Sequence, residues 1–205
     1  MCQTKLNFGP FSLKNEAFKR KHNRRRNTAF CINGYQGTGI QQILKSLDIP
    51  KGSFYNYFKS KEDFVIEAIE QYSGKGLKMH QAALSDKSLT ALNRIARKLE
   101  ETQQKYISEN FEKSCLLDIL AIEVSGGNKK IADLIDEIFE RRRQIYSVCI
   151  QEGQELGEIR KDGKAVDLAE FILSGYSGAQ LKAKTEKSIR PMKNFANHSI
   201  KYLRA

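Results

Sequence analysis

Residues 34–61, GYQGTGIQQILKSLDIPKGSFYNYFKSK, read as two short amphipathic helices, a tight turn between them and the opening of a longer third helix. Thr38 is placed as the N-cap of the first helix, with Gln41 as its reciprocal capping-box partner. Ile40, Ile43, Leu44 and Leu47 recur at i, i+3, i+4 and i+7, so one face of about two turns is apolar. Pro50 drives its predecessor out of the α region, which ends the first helix near Leu47 or Asp48 and starts the second at Pro50 or Lys51. Phe54 and Phe58 then face inward, leaving Lys51, Gly52, Ser53, Tyr55 and Tyr57 outside. A cation, a bare backbone, a hydroxyl and two phenols suit phosphates and base edges. Ser60 with Asp63 caps the third helix, and Lys61 in its first turn opposes the helix dipole but suits a phosphate. This is the layout of a helix-turn-helix, although any two amphipathic helices joined by a Pro-Lys-Gly turn share it.

Charge points the same way. Residues 1–61 hold 12 Lys and Arg against 2 acidic residues, whereas residues 62–205 hold 23 against 22. A solvated basic face accounts for one cluster but not for so lopsided a partition, which steers a polyanion to the N-terminal end.

The string FCINGYQGTGIQQILKSLDIPKGSFYNYFKSKEDFVIEAIE resembles the DNA-binding domain of the tetracycline-repressor (TetR) family of bacterial transcriptional regulators. Matching positions include Phe30, Gly34, Tyr35, Thr38, Ile40, Ile43, Lys51, Gly52, Phe54, Tyr55, Tyr57, Phe58, Ser60, Lys61 and Glu62. The resemblance implies an all-α homodimer with an N-terminal helix-turn-helix domain and a helical-bundle domain that binds a small-molecule effector and dimerises. It places Thr38, Lys51, Gly52, Ser53, Tyr55, Tyr57 and Lys61 at double-stranded DNA, on a pseudo-palindromic operator. Two departures stand out: Gly39 replaces the usual Ser or Thr, and Asp48 replaces the turn Gly. Aspartate tolerates the left-handed conformation better than most residues, so the turn survives.

Three parts are expected: residues 1–28, an anomalous basic segment; residues 29–62, the helix-turn-helix; and residues 63–205, the helical effector and dimerisation domain. Lys19 to Thr28 lacks the apolar stripe of a first helix. Either this is a disordered basic arm or the sequence upstream of Ala29 is not the native one. From Ser60 the pattern is helical throughout: a linking helix into the low 80s, then Leu89–Ile107, a Ser114-capped Cys115–Val124, Asn128 to near Gly157, Ala165 to about Ala183, and Pro191–Leu203. Ser125-Gly126-Gly127 ends the third of these. No apolar run reaches 18 residues and no signal-peptide core is present, which gives the expectation of a cytoplasmic chain with no membrane partner.

In the family the last two helices pair with their copies. Ser174, Gly175, Gly178 and Ala179, with Leu181, fit close helix approach at such a dimer interface, though packing within one chain explains small residues as well. The resemblance also implies an apolar pocket, for which Tyr72, Met79, Tyr106, Phe111, Cys115, Ile119, Phe139, Tyr146, Phe171 and Tyr176 are candidates that would serve equally as core. Cysteines at 2, 31, 115 and 149 show no metal-ligand spacing. Cys115 at a helix start, near Lys113, is placed where a thiol pKa falls, and Glu-Lys-Ser-Cys-Leu-Leu resembles a segment in a branch of the family that responds to electrophiles or oxidants. A buried structural cysteine is the other reading. His22, His80 and His198 are scattered, His80 being taken as a surface residue. With no phosphate loop, nucleophile elbow or metal cluster, an enzyme is disfavoured and no cofactor is expected. The favoured reading is a repressor released by an effector or by thiol modification; the alternative is a helical, dimeric ligand-binding module with impaired DNA binding.

Overall fold

The computed structural model describes residue 30, residues 33–124 and residues 127–205; the expectations for residues 1–28, Cys31, Ser125 and Gly126 lie outside these. Among the described residues there are eight helices: α1 (Ile40–Leu47), α2 (Lys51–Tyr55), α3 (Lys61–Leu84), α4 (Ala91–Ser108), α5 (Leu116–Val124), α6 (Lys129–Glu155), α7 (Ala165–Glu186) and α8 (Arg190–Leu203). The β pairing among the same residues is an isolated antiparallel bridge, Ile159 to Arg204.

The ends of these helices follow local chemistry. The Ser60 hydroxyl accepts from the Asp63 N–H at 3.1 Å, and Glu62 and Asp63 in the first turn complement the dipole of α3. Thr90 and Asn128 cap α4 and α6 in the same way, accepting from the N–H groups of Asn93 and Ile131. Asp48 takes the left-handed C-cap position of α1 at φ 55°, as its residue type allows. The first helix begins differently from expectation. Its N-cap is Gly39, not Thr38, and the reciprocal side chain is Gln42, not Gln41: the Gln42 carbonyl oxygen accepts from the Gly39 N–H at 2.9 Å. Helix α5 likewise starts one residue late, at Leu116.

Two apolar clusters form the interior. One gathers Phe30, Ile43, Leu47, Phe54, Phe58 and Phe64 with Leu116, Leu120 and Val124 of α5 and Ile131, Ile135 and Ile138 of α6. Its consequence for function is direct: among the described residues the helix-turn-helix shares one core with α5 and the N-terminal half of α6. The other cluster joins α4, the C-terminal half of α6, α7 and α8 around Ile95, Leu99, Tyr146, Ile172, Tyr176 and Met192. Between α4 and α5, Asn110 and Phe111 both adopt left-handed backbone, φ 50° and 57°. Phe111 offsets that strain by packing on the second cluster.

Candidate nucleic-acid interface

Helix α2 is pinned by one side chain and offers the rest. Phe54 is fully buried and meets the rings of Phe58 at 5.1 Å and Phe64 at 5.7 Å. Lys51, Gly52 and Tyr55 are exposed on the opposite side, Ser53 and Tyr57 half-exposed, and nothing lies within 4 Å of where a Gly52 Cβ would be. Tyr57 packs partly against the core beside Phe58. These five positions lie on α2 and in the turn that follows it.

The remaining two predicted positions are turned inward. Thr38 is 0% exposed, and its hydroxyl donates to the Gly34 carbonyl oxygen at 2.7 Å. It secures the turn from a buried position. Lys61 is half-buried: its ammonium donates to the Tyr35 carbonyl oxygen at 2.6 Å and stands 4.2 Å over the Tyr35 ring. Burial lowers its pKa, opposed by the Glu123 carboxylate.

Glu123, near the end of α5, escapes any local reading of the sequence. Its Oε2 accepts from the Gln36 N–H at 2.9 Å, across 87 residues of chain. Gly34, at φ 69°, lets the same carboxylate come close; a Cβ there would lie 1.6 Å from Glu123 Oε1. The neighbouring loop is tied by Asn128, whose amide donates to Glu62 at 2.6 Å.

The other half of α5 borders a cavity of about 410 Å³ between α4, α5, α6 and α7. Of the predicted pocket residues it is lined by Tyr106, Ile119 and Phe139, together with Asp118, Arg142 and Ser177, which sequence reasoning missed. A charge inside the apolar run Leu116–Val124 was a legible signal for Asp118; nothing local marks Arg142 within Arg141-Arg142-Arg143. Tyr146 and Tyr176 belong to the core, their hydroxyls meeting His80 Nδ1 at 3.3 Å and donating to the Leu99 carbonyl oxygen at 2.7 Å. Tyr72 is half-buried, with the Lys105 ammonium 5.9 Å above its ring. Met79 is half-exposed, and Phe171 stacks on Phe195 and Tyr202 at the surface. His80 is not the surface residue expected: burial, with Lys98 and Arg142 adding to it, pushes its pKa down to about 3.

Cys115 is half-buried just before α5. Burial and the Asp118 carboxylate raise its thiol pKa, the reverse of the lowering expected from a helix start. The thiolate that oxidants and electrophiles attack is therefore disfavoured. Cys149 is core, pushed up to about 11 by burial. The proposed dimer-face residues divide. Gly175 faces its own chain, since a Cβ would fall 2.3 Å from Cε2 of Phe195, and Ala179 packs on the core. Ser174, Gly178 and Leu181 rim the cavity mouth. A larger open cleft, of about 590 Å³ beside Lys87 and Glu152, is lined by charges that already pair, Arg94 with Glu152 at 2.9 Å among them.

Comparison with known proteins agrees with this geometry. Residues 30–68 match the model of bacterial regulatory proteins of the tetR family, and residues 91–199 match the tetracyclin repressor-like C-terminal domain. The chain is 31% identical over 170 residues to the HTH-type transcriptional repressor DhaR of Mycobacterium sp. (strain GP1), covering 81% of this chain and 82% of that one. It is 30% identical over 162 residues to the transcriptional regulator AcuR of Cereibacter sphaeroides, covering 79% and 74%. The crystal structure of regulatory protein TetR from Rhodobacter sphaeroides superposes with a TM-score of 0.85 at 27% identity, over 90% of this chain and 97% of that one. No helix among the described residues is long and apolar enough to cross a membrane. A helix-turn-helix braced by α5, a long helical remainder and two family models that together span most of the sequence make this chain a member of the tetracycline-repressor family of DNA-binding transcriptional regulators.

Proposed function

We propose that the protein is a homodimeric repressor that lays Lys51, Gly52, Ser53, Tyr55 and Tyr57 in the major groove of each half of a pseudo-palindromic operator and releases it when a small molecule enters the α5–α7 cavity. The observation that carries this reading is the outward face of α2, exposed at Lys51, Gly52 and Tyr55 while Phe54 holds the helix from behind. Exposed Phe171, Leu181 and Tyr202 on α7 and α8 supply the apolar surface for a second copy. Residues 29–62 then act as the recognition unit and residues 63–205 as the effector and dimerisation unit. The raised thiol pKa of Cys115 favours ligand entry over thiol chemistry as the trigger.

Lys51→Ala and Tyr55→Ala each weaken operator binding about tenfold or more, as loss of a phosphate or base contact does, without moving the unfolding midpoint. Mobility shifts with DNA flanking the gene, at two salt concentrations, read this; operator affinity unchanged in both variants rejects the placement.

Helix α5 is the coupling element in this reading. Asp118, Ile119, Ala121 and Ile122 border the cavity, and one residue further Glu123 holds the Gln36 N–H. A ligand that shifts α5 releases that hydrogen bond and loosens the turn before α1. Glu123→Ala accordingly lowers operator affinity about tenfold, within the range of ordinary allosteric coupling energies. Equal affinities for the variant and the parent chain would show that the clasp transmits nothing.

A further inference from the structure

Arg142 of α6 brings an unanswered donor to the cavity. It lines the wall, its Nε is buried without a hydrogen-bond partner, and it forms no ion pair within 4.0 Å among the described residues. Its guanidinium carbon lies 4.9 Å from the centre of the Phe139 ring, a cation–π contact that leaves the Nε donor unpartnered. A guanidinium is charged at every relevant pH and presents a fork that matches a carboxylate. The carboxyl group whose titration it perturbs is Asp118, which burial holds back from ionising. Lys98 is buried on the neighbouring α4, and together with Arg142 it adds to the burial that keeps His80 uncharged. Asp118 faces the same space from α5; burial favours its neutral form, opposed first by the Arg142 charge and then by hydrogen bonds with Ser177 and Cys115. At the mouth, Glu170 is engaged by the Ser174 hydroxyl and approached by Arg143 at 3.9 Å.

Ile119, Ala121, Phe139, Leu173 and Leu181 give the cavity its apolar wall, with Ser114, Ser177 and Gln180 as polar interruptions. The volume of about 410 Å³ lies at the small end of the roughly 300–1,000 Å³ range of ligand sites. A guanidinium with an unpartnered Nε, a nearby acidic side chain and a small, largely apolar enclosure select a monoanion over a phosphate dianion, and an amphipathic molecule over a polar one.

We infer that the cavity takes a small monocarboxylate, its carboxylate on the Arg142 guanidinium and its apolar body against Ile119, Phe139 and Leu173. This rests on the reading of the cavity as the effector site and names the chemistry that the site recognises.

The experiment is calorimetric titration of the full chain with butyrate, hexanoate and benzoate, each against its primary amide, alongside a mobility shift on operator DNA. The acids bind at least about tenfold tighter than the matching amides, because only the acids complete a charge-assisted pair. Arg142→Gln removes that preference and leaves the weak amide binding in place. Comparison of acid with amide on the unaltered chain needs no variant, so a variant that misfolds does not obscure the answer. Amides binding as tightly as acids, acids unaffected by a folded Arg142→Gln, or no binding by either class each overturn the assignment. An operator complex dissociated by amides and not by acids overturns it while leaving the regulator reading intact. Acid binding by a chain that forms no operator complex upholds it and removes the DNA placement instead.

Discussion

Phe64→Ala lowers the unfolding free energy by about 3–5 kcal/mol, the usual cost of emptying a buried aromatic site, and abolishes specific operator binding. The ring is fully buried in the first turn of α3 and meets Phe58 edge-on at 4.9 Å, Phe54 at 5.7 Å and Phe30 at 5.9 Å. Helix α2 buries only Phe54 of its own residues, so these ring contacts are its main attachment to the rest of the protein. Aromatic pairs of this geometry add about 0.5–1.5 kcal/mol each beyond the area they bury. Without the Phe64 ring, Phe54 and Phe58 lose their common partner, and the Lys51–Tyr55 surface loses its fixed orientation. Urea denaturation followed by circular dichroism, together with a mobility shift, measures both effects. Phe64→Leu, which retains most of the volume, gives an intermediate loss. An alanine variant within about 1 kcal/mol of the parent would mean that the aromatic cluster is not the anchor of α2.

Acid weakens the fold through His80. Its imidazole is enclosed by Tyr146, whose hydroxyl lies 3.3 Å from Nδ1, with Lys98 and Arg142 adding positive charge nearby. Burial first, then those two cations, hold the folded pKa down at about 3, against 6.5 for a free histidine. Between these values the unfolded chain binds a proton that the folded chain refuses, so stability rises with pH across the interval. The stabilisation is fully present above pH 6.5 and is lost progressively as pH falls towards 3. At pH 4 the loss is roughly 2–3 kcal/mol, allowing for the partial exposure of the residue. Carboxylates titrate in the same range, so the informative quantity is the difference between the parent chain and His80→Gln. The variant's unfolding midpoint falls less steeply from pH 7 to pH 4, and parallel curves for the two proteins would remove His80 from the account.

The positions read correctly and those missed differ in the range of their interactions. Asp48 in the left-handed turn and Ser60 capping Asp63 were legible because each depends on neighbours within a few residues. The opposite burial of Phe54 and Tyr55 followed from helical periodicity alone. Thr38 was misread although its partners are local. A threonine hydroxyl can cap forward or bond back to a carbonyl, and the back bond to Gly34 prevails once the residue is buried at the turn. Cys115 followed the same pattern: position at a helix start argues for a lowered pKa, and burial beside Asp118 outweighs it.

The chain's local spacing determines the helices, the helix-turn-helix and the side of α2 that stays outside, because each rests on hydrogen bonds and apolar repeats within one or two turns. Tertiary packing alone brings Glu123 onto Gln36, Tyr146 onto His80 and Arg142 into a cavity beside Asp118. Those pairings join residues far apart in the chain, and the charges they bury take their meaning from neighbours that no local window contains.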